Sequence, residues 1–377
     1  MIALHTHRLF DGFTFSGPAC VLIEHGRIAG VLPNAPSGVT PQHLPPDVIL
    51  APGFVDLQVN GGAGVLFNDQ PTPEGLRTIA GAHLAEGTTA LLPTLISAEP
   101  QTLRRGVSAV RAALAQGMAG IAGIHIEGPF ISRLRRGIHP EAAITALGAE
   151  DLAWLCEDFP AARLITLAPE VVPPAQISAL AAAGYTVFLG HSDADCETAA
   201  AALAAGAAGF THLYNAMSQL GSRAPGMVGA ALSSDSAVAS IIIDGHHAHP
   251  AAVRAAWKAM GAARLCLISD AMPSVGAPGD GGFHLSGKAI ALNAGKLTDA
   301  AGTLAGAHLT MREAVHGAVH LAGIPLDQAL RMATATPAAC LGLREIGQIR
   351  PGCRADLVAL RPDLSLAGVW VGGLPPA

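Results

Sequence analysis

Through the middle of the chain, short apolar runs rich in Val, Ile and Leu alternate with longer Ala/Leu stretches of helical spacing. Eight runs read as strands: 54–59, 89–93, 121–127, 163–168, 186–190, 209–213, 240–244 and 264–269. The stretches 74–86, 101–116, 197–206, 250–260 and 308–322 read as helices between or after them. Repeated βα units predict an α/β fold with a parallel sheet, and eight of them favour a (β/α)8 TIM-type barrel. An open doubly wound sheet is the runner-up, but no GxGxxG fingerprint follows the first central strand. The two ends differ from the middle. CVLIEHGRIAGVLP carries a hairpin signal at His25-Gly26, and IGQIRPGCRADLVAL and LAGVWVGG have the same β character. They predict either one small β domain assembled from both termini or two separate edge hairpins.

In a barrel of this kind, catalytic side chains sit at the C-terminal strand ends. The third candidate strand ends in Glu127, the fifth in His191 and the sixth in His212, each followed closely by Gly, Ser or Asn. Alone, Glu127 would serve as a helix cap and either histidine as a structural residue. Together, one carboxylate and two imidazoles suit a divalent metal with a position left for water. The eighth strand ends in LISDAMP, which puts Asp270 where a general base would stand; its simpler reading is an N-cap or Asx turn. The seventh ends in IIIDGHHAHP. There Asp244 is expected to cap the turn, His249 to start a helix, and one of His246 and His247 to face substrate.

The first strand alternates Asp56, Gln58 and Asn60 on one face. Amides are poor ligands beside imidazoles, so Gln58 and Asn60 are expected to fill the core with hydrogen bonds or to support groups or water around the metal, and a second metal is disfavoured. No lysine precedes Lys258, so a carbamylated lysine on the fourth strand cannot bridge two ions.

Composition narrows the setting. The 377 residues are 50% hydrophobic, enough for a large core, and the net charge is −6 with basic residues scattered. No basic face for nucleic acid emerges, and phosphate recognition must be local. Six cysteines occur singly without a CxxC pair, which fits a reducing cytoplasm. The N-terminus lacks a signal-peptide pattern, and the Ala-rich runs carry Gly or polar breaks that argue against membrane spans.

PGFVDLQVNG, GIHIEGPF, LGHSDA, THLYNAM, IIIDGHH and ISDAM, with the later TLAGAHLTM and TPAACLGL, resemble in order the N-acetylglucosamine-6-phosphate deacetylases of the amidohydrolase superfamily. The resemblance implies a barrel over 51–344 and a small β-sandwich from 1–50 plus 345–377, in a cytoplasmic homodimer. It implies one divalent ion per subunit on Glu127, His191 and His212, with zinc expected and iron, cobalt or manganese as alternatives. It makes Asp270 the catalytic acid/base, removing acetate from N-acetylglucosamine 6-phosphate. Substrate contacts carry onto Ile138, His139, Asn215, Ala216, Arg223, Asp244, His247, Leu304, Ala305 and Gly306, with Arg223 reaching the phosphate, in some members from the neighbouring subunit. N-acetylgalactosamine 6-phosphate or another N-acylated substrate is the alternative.

Overall fold

The computed structural model describes residues 1–376. Eight strands run parallel around a barrel: β1 Phe54–Val59, β2 Thr88–Ile96, β3 Gly123–Glu127, β4 Ala162–Leu167, β5 Thr186–Leu189, β6 Gly209–Phe210, β7 Val238–Ile241 and β8 Leu265–Leu267. Neighbours pair in chain order from β1 to β8. A parallel bridge from Val59 to Ala271 closes the ring, and the Ala271 carbonyl accepts from the N–H groups of Asn60 and Gly61. The open doubly wound alternative is therefore excluded.

Strands β1, β2 and β3 are buried along their whole length, as expected of strands enclosed by helices on the outside and side chains within. The predicted seventh strand is displaced: pairing covers 238–241, and Ile242 and Ile243 continue buried beyond it. Burial, not strand pairing, accounts for those isoleucines. The helix Pro250–Met260 starts at His249, whose Nδ1 accepts from the Ala251 N–H at 3.1 Å. Further helices, among them Ala149–Leu155, Pro174–Ala182 and Gly226–Ser233, complete the outer layer.

Two sheets lie apart from the barrel. One orders Arg27–Leu32, Ala19–Glu24, Ile2–Thr6 and Gln42–His43; the other orders Leu366–Trp370, Leu357–Leu360, Ile49–Pro52, Arg8–Phe10 and Phe15–Ser16. The second sheet pairs residues from both ends of the chain, with Leu357 opposite Pro52 and Ala359 opposite Leu50. Leu4, Val21, Ile28, Leu50, Leu357 and Trp370 share one apolar cluster between them.

A three-stranded antiparallel sheet, Phe283–Leu285, Lys288–Asn293 and Lys296–Thr298, follows β8 and was not anticipated from the sequence. Its segment mixes glycine, charge and isolated apolar residues, so no sustained period marks it. Leu285, Ile290 and Leu297 bury against Ile96 and Met272, which fixes the insertion beside the mouth of the barrel.

Candidate metal centre and active site

At the C-terminal mouth, Glu127 is the last residue of β3, while His191 and His212 each follow their strand by two residues. His191, His212 and Asp270 have positive φ values of 49°, 33° and 49°. Left-handed backbone at a non-glycine residue costs about 1–3 kcal/mol and persists only where surroundings impose it. Here they do: the Ser132 N–H donates to the His191 carbonyl, the His212 N–H to Ser240 Oγ, and the Ala307 N–H to the Asp270 carbonyl. The turn at each strand end aims the side chain into the mouth.

Three atoms meet there. Glu127 Oε1 lies 3.1 Å from His191 Nε2 and 3.0 Å from His212 Nε2, and the two Nε2 atoms are 3.0 Å apart. His191 Nδ1 lies 2.9 Å from the Arg135 carbonyl, which only accepts, so Nδ1 carries the proton and Nε2 presents a lone pair. Among the described residues, the buried Nδ1 of His212 meets no hydrogen-bond partner. Burial pushes the Glu127 carboxyl up, but its imidazole neighbours, His191 first and then His212, lower it more, so it stays well below its ordinary value and ionised. A buried carboxylate and two imidazole nitrogens turned on one another are satisfied together by one cation, so the donor set fits a divalent ion.

His139 also enters this cluster: a ligand atom of it lies within 4.8 Å of those of Glu127 and His191. Its ring is turned differently. Nδ1 is 3.3 Å from the Ser97 N–H and 2.8 Å from Ser97 Oγ. The N–H can only donate, so Nδ1 accepts and Nε2 carries the proton of the neutral ring. His139 thus offers a donor to the cavity, where His191 offers a lone pair. Burial, reinforced by His191, lowers its pKa to about 3.

Asp270 stands beside the triad. Gln58 Nε2 and Asn60 Nδ2 donate to its Oδ1 at 2.9 and 2.7 Å, and the same Gln58 amide donates to Glu127 Oε1 at 3.0 Å. The two amides of β1 therefore hold the carboxylates, one by bridging both. Burial, with the Glu127 charge next, raises the Asp270 pKa to about 7. Below them Asp56 accepts from the Gln58 and Ser269 N–H groups, both at 3.2 Å, and from the Ser269 hydroxyl. Burial raises its pKa to about 7 as well.

A cavity of about 490 Å³ opens above this floor. Ile138, His139, Asn215, Ala216, His247, Leu304 and Gly306 line it together with Glu127, His191, His212 and Asp270. His247, not His246, faces inward; its Nδ1 lies 2.6 Å from Asp244 Oδ2. Asp244 also accepts from the N–H groups of His246 and His247, and its pKa falls to about 2 because His247 outweighs the opposing effect of burial. Asp244 therefore acts on the cavity through His247. Ala305 is fully buried behind the wall. Arg223 sits in an exposed turn closed by Gly221 and Ala224 and does not line the cavity of its own chain.

Several groups around the cavity escaped sequence reasoning. His125 lies two residues before Glu127 on the same strand face and hydrogen-bonds Thr166 Oγ1 at 2.8 Å; alternation along IHIE could have placed it. Ser97, Arg135 and Lys296 come from distant segments, and no local pattern announces them.

Residues 49–374 match the amidohydrolase family. The chain is 44% identical over 325 residues to an N-acetylgalactosamine-6-phosphate deacetylase of Shewanella sp. (strain ANA-3), covering 86% of this chain and 82% of that one. It is 36% identical over 358 residues to an N-acetylglucosamine-6-phosphate deacetylase of Haemophilus influenzae, covering 94% and 93%. The fold is similar to the crystal structure of N-acetylglucosamine-6-phosphate deacetylase from Pasteurella multocida, with TM-score 0.95, 35% identity and full coverage of both chains. It is also similar to an aspartate-to-alanine variant of the Mycobacterium smegmatis deacetylase in complex with N-acetyl-D-glucosamine-6-phosphate, with TM-score 0.91, 32% identity and 99% and 98% coverage. With a family match over most of its length and a barrel mouth whose buried donors suit a divalent ion, this chain belongs to the amidohydrolase family.

Proposed function

We propose that this protein hydrolyses the acetamide of N-acetyl-D-glucosamine 6-phosphate to D-glucosamine 6-phosphate and acetate. The observation that carries the proposal is the buried Asp270 carboxylate, hydrogen-bonded by the same Gln58 amide that holds the Glu127–His191–His212 cluster. The relatives named above support the substrate class.

Glu127, His191 and His212 would hold the ion, with zinc suiting one carboxylate and two imidazoles, and it would supply a Lewis acid and a water of lowered pKa. Asp270 takes a proton as the water oxygen bonds to the acetyl carbon and the carbonyl electrons move onto oxygen. His139, with its Nε2–H directed to the cavity, donates to that oxyanion. Asp270 then returns its proton to the nitrogen as the C–N bond breaks, releasing acetate and the amine. Gln58 and Asn60 keep Asp270 oriented through both transfers. Asn215, Ala216, His247 and the Leu304–Gly306 segment surround the sugar. Arg223, exposed and outside its own cavity, would serve the phosphate of the neighbouring subunit in a cytoplasmic homodimer.

A second reading, N-acetylgalactosamine 6-phosphate as substrate, is favoured by the Shewanella relative at 44% identity. The two sugars differ only in the C4 hydroxyl. Acetate release from both sugar phosphates, with metal content measured on the same sample, tests the proposal. A higher kcat/KM for the gluco sugar is expected; the reverse would transfer the assignment to the second reading, and no release from either would remove both.

A further inference from the structure

A dianionic sugar phosphate entering this cavity meets a floor that already carries Glu127 and Asp270. Its phosphate therefore needs cations placed away from them; Arg223 of the partner subunit would be one, and a second has to come from the same chain. Two long cationic side chains line the cavity, Arg135 and Lys296. Arg135 is engaged: its Nε and Nη2 both lie 2.7 Å from Asp193 Oδ1. Among the described residues, no carboxylate lies within 4.0 Å of Lys296. Asp299, three positions along the chain, is occupied by Lys288 Nζ at 3.3 Å and by the N–H groups of Ala301 and Thr303 at 3.0 and 2.9 Å.

The backbone at Lys296 is fixed. Asn293 pairs with Lys296, and the turn between them places Ala294 and Gly295 at φ 48° and 80°. Leu297 is buried in the cluster that includes Ile96 and Met272, both of which also line the cavity. The Ala305 N–H donates to the Leu297 carbonyl at 3.2 Å, tying this strand to the Leu304–Gly306 wall. The insertion thus brings one cation, free of a carboxylate partner, to the cavity on a packed support. A flexible stem ending in a compact charge suits a phosphate whose position follows the sugar ring.

We propose that Lys296 binds the phosphate of the substrate from within the same chain, making the β insertion after β8 a determinant of preference for phosphorylated sugars. This rests on the reading under Proposed function. The test uses the metal-loaded full-length protein and its Lys296→Ala and Lys296→Arg variants. Acetate release is measured on N-acetylglucosamine with and without the 6-phosphate, and calorimetry measures binding of glucosamine 6-phosphate and of inorganic phosphate. Lys296→Ala is expected to lower the kcat/KM ratio of phosphorylated to unphosphorylated sugar about ten-fold or more, through KM rather than kcat. Binding of both phosphate probes should weaken alongside, and Lys296→Arg should recover most of the loss. An unchanged ratio, or equal losses on both sugars, would overturn the assignment while leaving the deacetylase reading intact. A parent protein that turns over neither sugar would sink that reading. Calorimetry would then judge Lys296 separately: phosphate binding as tight in Lys296→Ala as in the parent, or absent from both, overturns the proposal.

Discussion

At the mouth of the barrel, buried titratable groups face one another; at its opposite end, buried charge faces carbonyls and aromatic rings. Arg163, near the start of β4, donates through Nη1 to the carbonyls of Leu155 and Glu157 at 3.3 and 2.7 Å and through Nη2 to that of Ala183. These carbonyls lie at the ends of the helices Ala149–Leu155 and Pro174–Ala182, where backbone acceptors lack intrahelical partners. The same guanidinium stacks 4.5 Å from the centroid of Tyr185, whose hydroxyl is pushed up to about 12, mainly by burial. Nearby, Arg104 and Arg111 stack on Trp154 and Phe159. One end satisfies its charge within the fold. The other leaves carboxylates and lone pairs converging, on backbone held in a costly conformation, and is complete only with a cation and a substrate. Buried charge by itself therefore does not mark a site; unsatisfied convergence does.

Four experiments would break or sharpen that contrast. The largest effect is expected for Asp270→Asn, which keeps the left-handed turn accessible and a similar shape but cannot move the proton. Turnover should fall roughly 10²- to 10⁴-fold with little change in Tm and metal retained. Activity near that of the parent would remove Asp270 from the chemistry.

Next comes the comparison of His212→Ala with His139→Ala. The first should cost the bound ion, read by metal analysis, and activity with it. The second should keep the ion and lose turnover, because the His139 Nε2 carries a proton. Metal loss from His139→Ala with retention in His212→Ala would reverse the two roles.

At the opposite end, Arg163→Ala should destabilise the fold by about 3 kcal/mol, because charge-assisted bonds to buried carbonyls are lost. Metal content and KM at a permissive temperature should stay those of the parent. A changed KM with unchanged stability would assign that end a ligand role.

The smallest effect concerns Asp56. Its pKa in the folded protein, about 7, exceeds the ordinary 3.8. The native state therefore keeps a proton that the unfolded chain releases between about pH 4 and 7, and its stability falls as pH rises through that window. Asp56→Asn removes this linkage while keeping the acceptor for Gln58 and Ser269. Its denaturation midpoint should decline less than the parent's from pH 4 to 7. Parallel pH profiles would show that Asp56 does not titrate there.

The barrel strands were legible because a strand enclosed on both faces reads as a mostly apolar run, and β1 to β5 do, interrupted by polar residues such as Asp56, Gln58, His125 and Arg163. At the ends of β3, β5 and β6 the signal lay in the combination: a single carboxylate or imidazole there has a structural reading, whereas one carboxylate and two imidazoles at three strand ends point to a common mouth. For Gln58 and Asn60 the sequence left hydrogen-bonded core filling and support of the site equally open, and the structure turns both amides toward Asp270. The insertion over 283–298 was not legible, because its strands are short and their burial depends on Ile96 and Met272 from elsewhere in the chain.

By itself, then, the sequence determined the alternation of elements, the kinds of donor at the strand ends and the absence of an early lysine, since these depend on local period and residue chemistry. Only the tertiary structure decided which nitrogen of each histidine faces the cavity, because that depends on Ser97 and on the Arg135 carbonyl. It alone decided that Asp244 works through His247, that Arg223 stands outside its own cavity, and that Lys296 borders it without a carboxylate partner. Those are relations between residues far apart in the chain, and no local period encodes a distance that only packing creates.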